Sequence, residues 1–461
     1  MVFDLDLMSQ YDESWRKLIL ERSKNARLCI SGTIRGGHFS FDAFFVNLLH
    51  NHWPRIRRLD VFVGDHYLLE TDAWDIFQQP ALQLEIFKLY FEEEGSALFS
   101  DPDSPIFANN APVLREFMFP DTSTKYMSLQ APWLRQLRSL VMISGFGASE
   151  LLETLRELPQ LEYLELRESI LEPVDCNASI VCLPNIRKLT ISNTLSTSLF
   201  FLKHITLSPG ASINLLTEER MDTHDRVSDS VVDEVCGQIS RYTKNYINND
   251  YGLAKSIFVK IGPPTFAFKM RKTANELIPM PSENDFRIGI FSNHLSRDAV
   301  PKMMACLDPR QFTETIRLEF IPYMIDIIED AQPTITSLLR ALSSVKVMMT
   351  SENGLRAFMN AQSEYPDILP AMDTFWLKYI EPTSERFPQL LLDFLHSRRD
   401  AGKPVTTINI SDSSWQFKEK LDWGYLEVID GLTVILRHDS QVLDHYTCGT
   451  GNPKTLDMRT V

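Results

Sequence analysis

The chain has 461 residues, 44% of them hydrophobic and 23% charged, with a formal net charge of -15 and an isoelectric point near 5.2. This composition sustains a folded core, and the length exceeds the roughly 250–300 residues at which one compact core stops growing, which leaves several domains or an elongated repeat. The acidic balance argues against a broad phosphate-binding face, so no nucleic-acid partner is expected.

Six cysteines without a CxxC pair read as reduced thiols rather than as a disulfide framework. The first fifteen residues carry acids where a secretory signal needs a basic start, and no stretch approaches 18 uninterrupted apolar residues. Residence in the cytosol or nucleus, without a membrane partner, is the expectation.

In chain order, residues 12–23 place Trp15, Leu18 and Ile19 on one face of a capping helix. Residues 27–31 alternate as a strand, and 41–49 form a second apolar helix. A six-residue phrase then begins, apolar at its first, fourth and sixth positions. It reads Ile56, Leu59, Val61; Leu84, Phe87, Leu89; Leu114, Phe117, Phe119; Leu137, Leu140, Met142; Leu161, Leu164, Leu166; and Ile186, Leu189, Ile191. The intervals of 23 to 30 residues match the period of leucine-rich repeats. In the clearest unit Ser149 caps a helix bearing Leu151, Leu152, Leu155 and Leu158, Pro159 ends it, and a strand follows.

After Leu207 the rhythm breaks into a turn, a short strand over 213–216 and one helix around Val231, Val232, Val235 and Ile239. Strands are expected at 256–261 and 286–290. The phrase resumes as Thr313, Ile316, Leu318; Leu342, Val345, Val347; Met372, Phe375, Leu377; Val405, Ile408, Ile410; and Ile429, Leu432, Val434, with a striped helix over 388–400 between copies.

The sequence therefore predicts an α/β, leucine-rich-repeat-like solenoid: a curved parallel sheet with helices on the convex side, in irregular repeats. It divides into a helical cap (1–54), a first repeat block (55–216), an irregular helical insertion or linker (217–252), a second block (253–444) and a frayed tail (445–461). A generic doubly wound α/β protein is the competing architecture.

Motifs for chemistry are lacking. Gly145-Phe146-Gly147 has no third glycine for a dinucleotide loop, and in the string from Cys448 to Thr455, Asn452 and Pro453 separate the last glycine from Lys454. Both read as turns. His50 and His52 read as a polar helix end rather than metal ligands, Glu92 to Glu94 as solvated acids, and the Arg55, Arg57, Arg58 and Arg398, Arg399 runs as solvated faces. No cofactor, metal or catalytic residue is assigned, and the expectation is a non-enzyme.

In a stacked repeat the residues between the apolar positions line the concave sheet. The candidate partner-binding residues are Arg58, Asp60, Lys88, Tyr90, Tyr163, Glu165, Arg167, Lys188, Arg317, Trp376, Lys378 and Asn409. Aromatic side chains beside Arg and Lys are the composition of an interface hot spot.

Three stretches carry a family likeness. Residues 15–30, with Glu21-Arg22-Ser23-Lys24-Asn25-Ala26 and Leu28-Cys29-Ile30, together with Phe200-Phe201-Leu202-Lys203-His204-Ile205-Thr206-Leu207, and Phe394 to Pro404 followed by Ile408 to Asp412 and Val428 to Leu432, resemble the fungal, mainly mushroom-type, F-box proteins with leucine-rich-repeat-like tails. The resemblance implies substrate recognition for a Skp1-cullin ubiquitin ligase. The chain starts at about the point where the F-box of that family ends, so no Skp1-docking segment is named. An unidentified protein substrate is the expected partner, Skp1 being one only with an F-box upstream. A stand-alone repeat scaffold and an α/β enzyme without a recognisable motif are the alternatives.

Overall fold

The computed structural model describes the chain apart from residues 36–38, 65–71, 92–103, 120–126, 143–145, 168–177, 219–226, 248–253, 263–264, 274–284, 292–294, 297, 324, 379–385, 412–421, 439–440, 453–455 and 457–461. Two units divide it, Met1–Ala211 and Ser212–Val461, and each is α/β with a mostly or wholly parallel sheet.

Unit 1 runs β1 (Val2–Asp4), α1 (Leu5–Met8), α2 (Glu13–Ser23), β2 (Leu28–Ile34), α3 (Phe39–His52), β3 (Ile56–Val63), β4 (Ile86–Phe91), β5 (Glu116–Met118), β6 (Ser139–Met142), α4 (Ala148–Arg156), β7 (Tyr163–Leu166), β8 (Val181–Leu183), β9 (Lys188–Asn193), α5 (Leu195–His204) and β10 (Ile205–Leu207). Strands β1 to β7 and β9 pair in order, all parallel. The middle position of the phrase forms one register row across them, Phe3, Ile30, Leu59, Phe87, Phe117, Leu140, Leu164 and Leu189, each no more than 1% exposed. Strand side chains alternate faces, so this row fixes one face as core and leaves its neighbours on the other.

The first position of the phrase closes a turn. The amides of Leu84, Leu114, Leu137, Leu161 and Ile186 each donate to the carbonyl three residues earlier, at 3.0–3.3 Å. The next residue then starts the ladder, with Glu85 donating to Arg57, Arg115 to Glu85, Arg138 to Arg115, Glu162 to Arg138 and Arg187 to Glu162. This edge row carries four arginines and two glutamates, and Arg57 and Arg138 pair with Glu85 and Glu162 at 2.8 and 3.5 Å.

Among the described residues between β3 and β6 the connections hold no α-helices. Short 3-10 turns at Asp72–Gln78, Ile106–Asn109 and Pro132–Gln136 replace them. Large rings fill the space a helix would take: Phe87 meets Phe77, Phe107 and Phe117 at 5.1–5.8 Å, and Trp133 lies 4.8 Å from Phe117. Residues 107–109 hold positive φ of 48–57°, a costly left-handed run that turns Phe107 into this stack.

The N-terminal helix departs from expectation. α2 forms where predicted, capped by the Asp12 carboxylate on the Trp15 amide, but its Trp15–Leu18 face is outward. Trp15 is 39% and Leu18 40% exposed, while Arg16 is 4% exposed with its guanidinium 5.3 Å from the rings of Phe41 and Phe44. A cation lying on aromatic faces is attracted by their quadrupoles, and this helix docks through that contact.

Unit 2 runs β11 (Ser212–Glu218), α6 (Asp229–Ile247), β12 (Ser256–Gly262), β13 (Thr265–Arg271), β14 (Phe286–Phe291), α7 (Ala299–Ala305), β15 (Arg317–Pro322), α8 (Ile325–Ala341), β16 (Val347–Thr350), α9 (Glu352–Glu364), β17 (Thr374–Leu377), α10 (Phe387–Asp400), β18 (Thr407–Ser411), β19 (Thr433–His438) and β20 (Gln441–Thr447). The sheet order is β11-β14-β13-β12-β15-β16-β17-β18-β19-β20, parallel from β12 through β15 to β19 and between β11 and β14, and antiparallel at the β12–β13, β13–β14 and β19–β20 pairs. Helix α6 stands within the stretch read as an insertion (217–252), and the strand expected at 213–216, read as the end of the first block, is β11 of unit 2. Strand β20 carries regular pairing past residue 444, into the segment expected to fray, and Cys448 then donates to the Leu432 carbonyl at 2.8 Å.

The core row here is Ile257, Leu318, Met348, Phe375, Ile408 and Val434. At its first two phrase copies the inward residues are Phe312, Thr315, Leu318 and Leu342, Val345, Met348, a three-then-three step. Thr313, Ile316 and Val347 are consequently not the inward positions, and Met348 is fully buried. Helices close this core: Phe394 of α10 lies 4.8 Å from Phe375, and Tyr246 of α6 lies 5.2 Å from Phe286.

Arg398, expected on a solvated face, is inside instead. The residue is fully buried in α10, donating to the carbonyls of Ile368, Leu369 and Met372 at 2.9, 3.1 and 3.0 Å. It satisfies the irregular backbone before β17, where Leu369 has a φ of 43°. Arg55 acts similarly, donating to the Ala26 carbonyl and the Ser23 hydroxyl at 2.8 Å.

Candidate functional site

Each unit presents a second, polar sheet face, and all twelve candidate residues lie on one or the other. They are described separately.

In unit 1, register sets Arg58, Ile86, Glu116, Ser139, Tyr163 and Lys188 in one row and Asp60, Lys88, Met118, Val141, Glu165 and Thr190 in the next. Neighbours pair along and across strands. Arg58 meets Asp60 at 2.6 Å, Lys88 meets Glu116 at 2.7 Å, and Arg167 meets Glu165 at 2.6 Å. The Tyr163 hydroxyl donates to Glu165, and the Lys188 ammonium lies 5.4 Å from the Tyr163 ring. Burial, reinforced by Glu165, pushes the Tyr163 phenol above its ordinary value, and burial with Asp60 does the same at Tyr90. Met118 and Val141 are buried at the centre of this face, with the charged residues around them.

In unit 2, Trp376 is not an exposed aromatic. It is 8% exposed, and the Arg317 guanidinium, two strands away, lies 4.9 Å from its ring. Lys378 reaches across to Glu319 at 3.3 Å, and Asn409, directly beside Trp376 in register, is buried. The four candidates thus share one face, Trp376 and Asn409 buried in it and Arg317 and Lys378 partly exposed.

Sequence reasoning missed the other end of this face. Strand β13 is absent from the prediction, yet Phe266, Phe268 and Met270 alternate with Lys269 and Arg271, a period-two signal available in the sequence. Lys269 and Arg287 are register partners, and Lys269 pairs with Phe258, which pairs with Glu319. Asp285, 6% exposed, accepts from Lys269 at 2.8 Å and Arg271 at 3.0 Å. Burial pulls the Lys269 ammonium below its ordinary value, and Asp285 opposes that shift.

The glycine-rich turn before Lys454 is already filled. Gly451 donates to the Glu427 carboxylate at 2.7 Å, Asn452 donates to the Tyr446 hydroxyl, and that hydroxyl donates to Glu427 at 2.8 Å. Gly449 and Gly451 take positive φ near 85°, the conformation that makes such a nest. Lys454 and Thr455 lie outside the described residues, as do Gly145 and Glu92 to Glu94.

His52 ends α3 with its Nδ1 3.2 Å from Arg55, and burial followed by Arg55 lowers its pKa. Among the described residues no group of three His, Cys, Asp or Glu side chains is arranged to hold a metal, and no helix is long and apolar enough to cross a membrane. No protein-family model matches the chain, and no curated protein matches it significantly.

Proposed function

We propose that this chain is a non-catalytic protein-binding module, a leucine-rich-repeat-like solenoid whose polar sheet faces receive a partner protein. The observation that carries the reading is the register. Residues spaced 23 to 30 apart in sequence fall into continuous rows in which one face is apolar and buried while the other offers charged and aromatic side chains. Repetition of the same turn and the same ladder hydrogen bond at five first positions of unit 1 supports the solenoid reading. Met118 and Val141 are buried within the chain and anchor this face, which leaves Arg58, Lys88, Glu165 and Arg167 around them as the side chains a partner would meet.

The resemblance to F-box proteins extends this reading to the substrate-recognition part of a Skp1-cullin ubiquitin ligase. Residues 15–30, 200–207, 394–404, 408–412 and 428–432 carry it. Stoichiometric co-purification with Skp1 is the expected result for that role; capture of a defined partner without Skp1 or cullin leaves a stand-alone scaffold.

The binding reading is tested by placing a photo-crosslinking residue at Ser139 or Thr407 on the polar faces, or at Glu153 or Asp393 on exposed helix surface. One identified partner crosslinks from the first pair and not from the second. Crosslinks of equal yield from helix positions overturn the assignment of the face.

A further inference from the structure

We propose that the β12–β15 end of the polar face of unit 2 binds an extended acidic peptide segment of a partner protein, an inference that rests on the protein-binding reading and names the chemistry of the partner.

The argument starts from charge. On the described strands and strand edges at this end of the face stand Lys260, Lys269, Arg271, Arg287, Arg317 and Lys378, against Glu218, Asp285 and Glu319. Six cations to three carboxylates is a local excess on a chain whose net charge is -15. A cationic patch on an acidic protein creates a potential that attracts anionic partners locally while the rest of the surface repels them, which gives orientation as well as attraction.

Placement of the cations also argues for a ligand. Among the described residues neither Arg287 nor Lys260 forms an ion pair; the Lys260 ammonium lies 4.7 Å from the Tyr323 ring, which holds it without neutralising it. Asp285 fixes Lys269 and Arg271 side by side at the cost of one negative charge for two positive. Phe258, half-buried between Lys269 and Glu319 in register, supplies an apolar contact in the middle of the patch.

Carboxylates on an extended chain suit this arrangement better than a phosphate. A phosphate site converges several donors on one point, whereas these cations are spread over β12, β13, β14, β15 and the end of β17. An extended peptide repeats its side chains on one edge about every 7 Å, the same step that separates Lys269 from Arg271 along β13. Nucleic acid would bring a dense run of phosphates against the acidic remainder of the chain.

The test uses the full chain and a fluorescein-labelled peptide of alternating Glu and Ser, read by anisotropy at about 50 mM salt, where surface charge is weakly screened. The double variant Lys260→Glu with Arg287→Glu is expected to weaken binding at least about tenfold, equivalent to losing roughly 1.4 kcal/mol. A control of equal charge change on exposed residues off the face, Lys17→Glu with Arg135→Glu, is expected to stay within about twofold. Lys260→Gln with Arg287→Gln, expected to give a smaller loss in the same direction, keeps the test decisive if the charge-reversed chain does not fold.

No binding of the peptide, or equal losses from face and control variants, overturns the proposal. So does tighter binding of a phosphoserine version or of poly(U) that depends on Lys260 and Arg287, since either reassigns the ligand. Loss of the peptide result with crosslinks from Ser139 intact removes this inference alone; loss of those crosslinks removes the binding-face reading beneath it.

Discussion

The two polar faces are built from the same alternation but differ in how their charges are matched. In unit 1, Arg58, Lys88, Arg167 and Lys188 face Asp4, Asp60, Glu116 and Glu165, four against four, and most are paired within hydrogen-bond distance. At the β11–β17 end of the unit 2 face the count is six cations to three carboxylates, with Lys260 and Arg287 outside any described ion pair. A matched face holds its side chains in place and discriminates by shape and detailed geometry; an unmatched one selects partners by sign. The cores differ too, an aromatic stack in unit 1 and helices with a buried arginine in unit 2.

The contrast of cores gives the largest expected effects. Phe87→Ala removes the ring at the junction of Phe77, Phe107 and Phe117 and should destabilise unit 1 by about 4 kcal/mol in urea unfolding. Arg398→Met strands three backbone carbonyls in unit 2 and should cost about 3 kcal/mol. A loss below about 1 kcal/mol in either variant breaks the corresponding half of the comparison.

The contrast of faces gives smaller ones. Glu116→Gln cuts the Lys88 pair on the matched face and should change stability by no more than about 0.5 kcal/mol, because partly exposed pairs are screened. Its value lies in partner binding, where loss of matching should make binding to a cognate protein more salt-dependent.

The smallest effect is a pH dependence at the edge row. The Arg57 guanidinium beside Glu85 holds its carboxyl below the usual value, with burial opposing. A carboxyl depressed in the folded state binds its proton more readily when unfolded, so the stabilisation is full above the unfolded value of about 4.3 and fades as pH falls through the folded one. The stability gap between wild type and Glu85→Gln, at most about 0.5 kcal/mol at pH 7, should vanish at about pH 3. A gap that persists there assigns the effect to packing.

A separate check uses thiols. Burial pushes the Cys448 thiol up to about 11, followed by the nearby Glu427 carboxylate, so at pH 8 it should resist alkylation while exposed Cys182 reacts first.

Much of this was legible from apolar spacing. Leu59, Phe87, Leu140 and Leu164 could be set in one core row because a strand needs period two and the turn before it needs a buried anchor. The same rule placed Arg58, Lys88, Tyr163 and Glu165 on the other face. It failed where one more residue separates anchor and strand, as at Val345 and Met348, since spacing alone does not reveal a three-then-three step. It failed at α2 because Trp15 and Leu18 look like a core stripe until Phe41 and Phe44 offer Arg16 a better site.

The sequence by itself determined the α/β character, the positions of most strands and which side of each strand is apolar, because these follow from local alternation and turn chemistry. Only the tertiary structure decided which charges meet. Arg398 and Arg399 are adjacent in sequence, yet one is buried against three carbonyls and the other exposed, and Lys269 and Arg271 meet Asp285 only through an antiparallel pairing of β13 and β14. Charge–charge energies depend on distance and burial between residues remote in the chain, and neither is encoded in spacing along it.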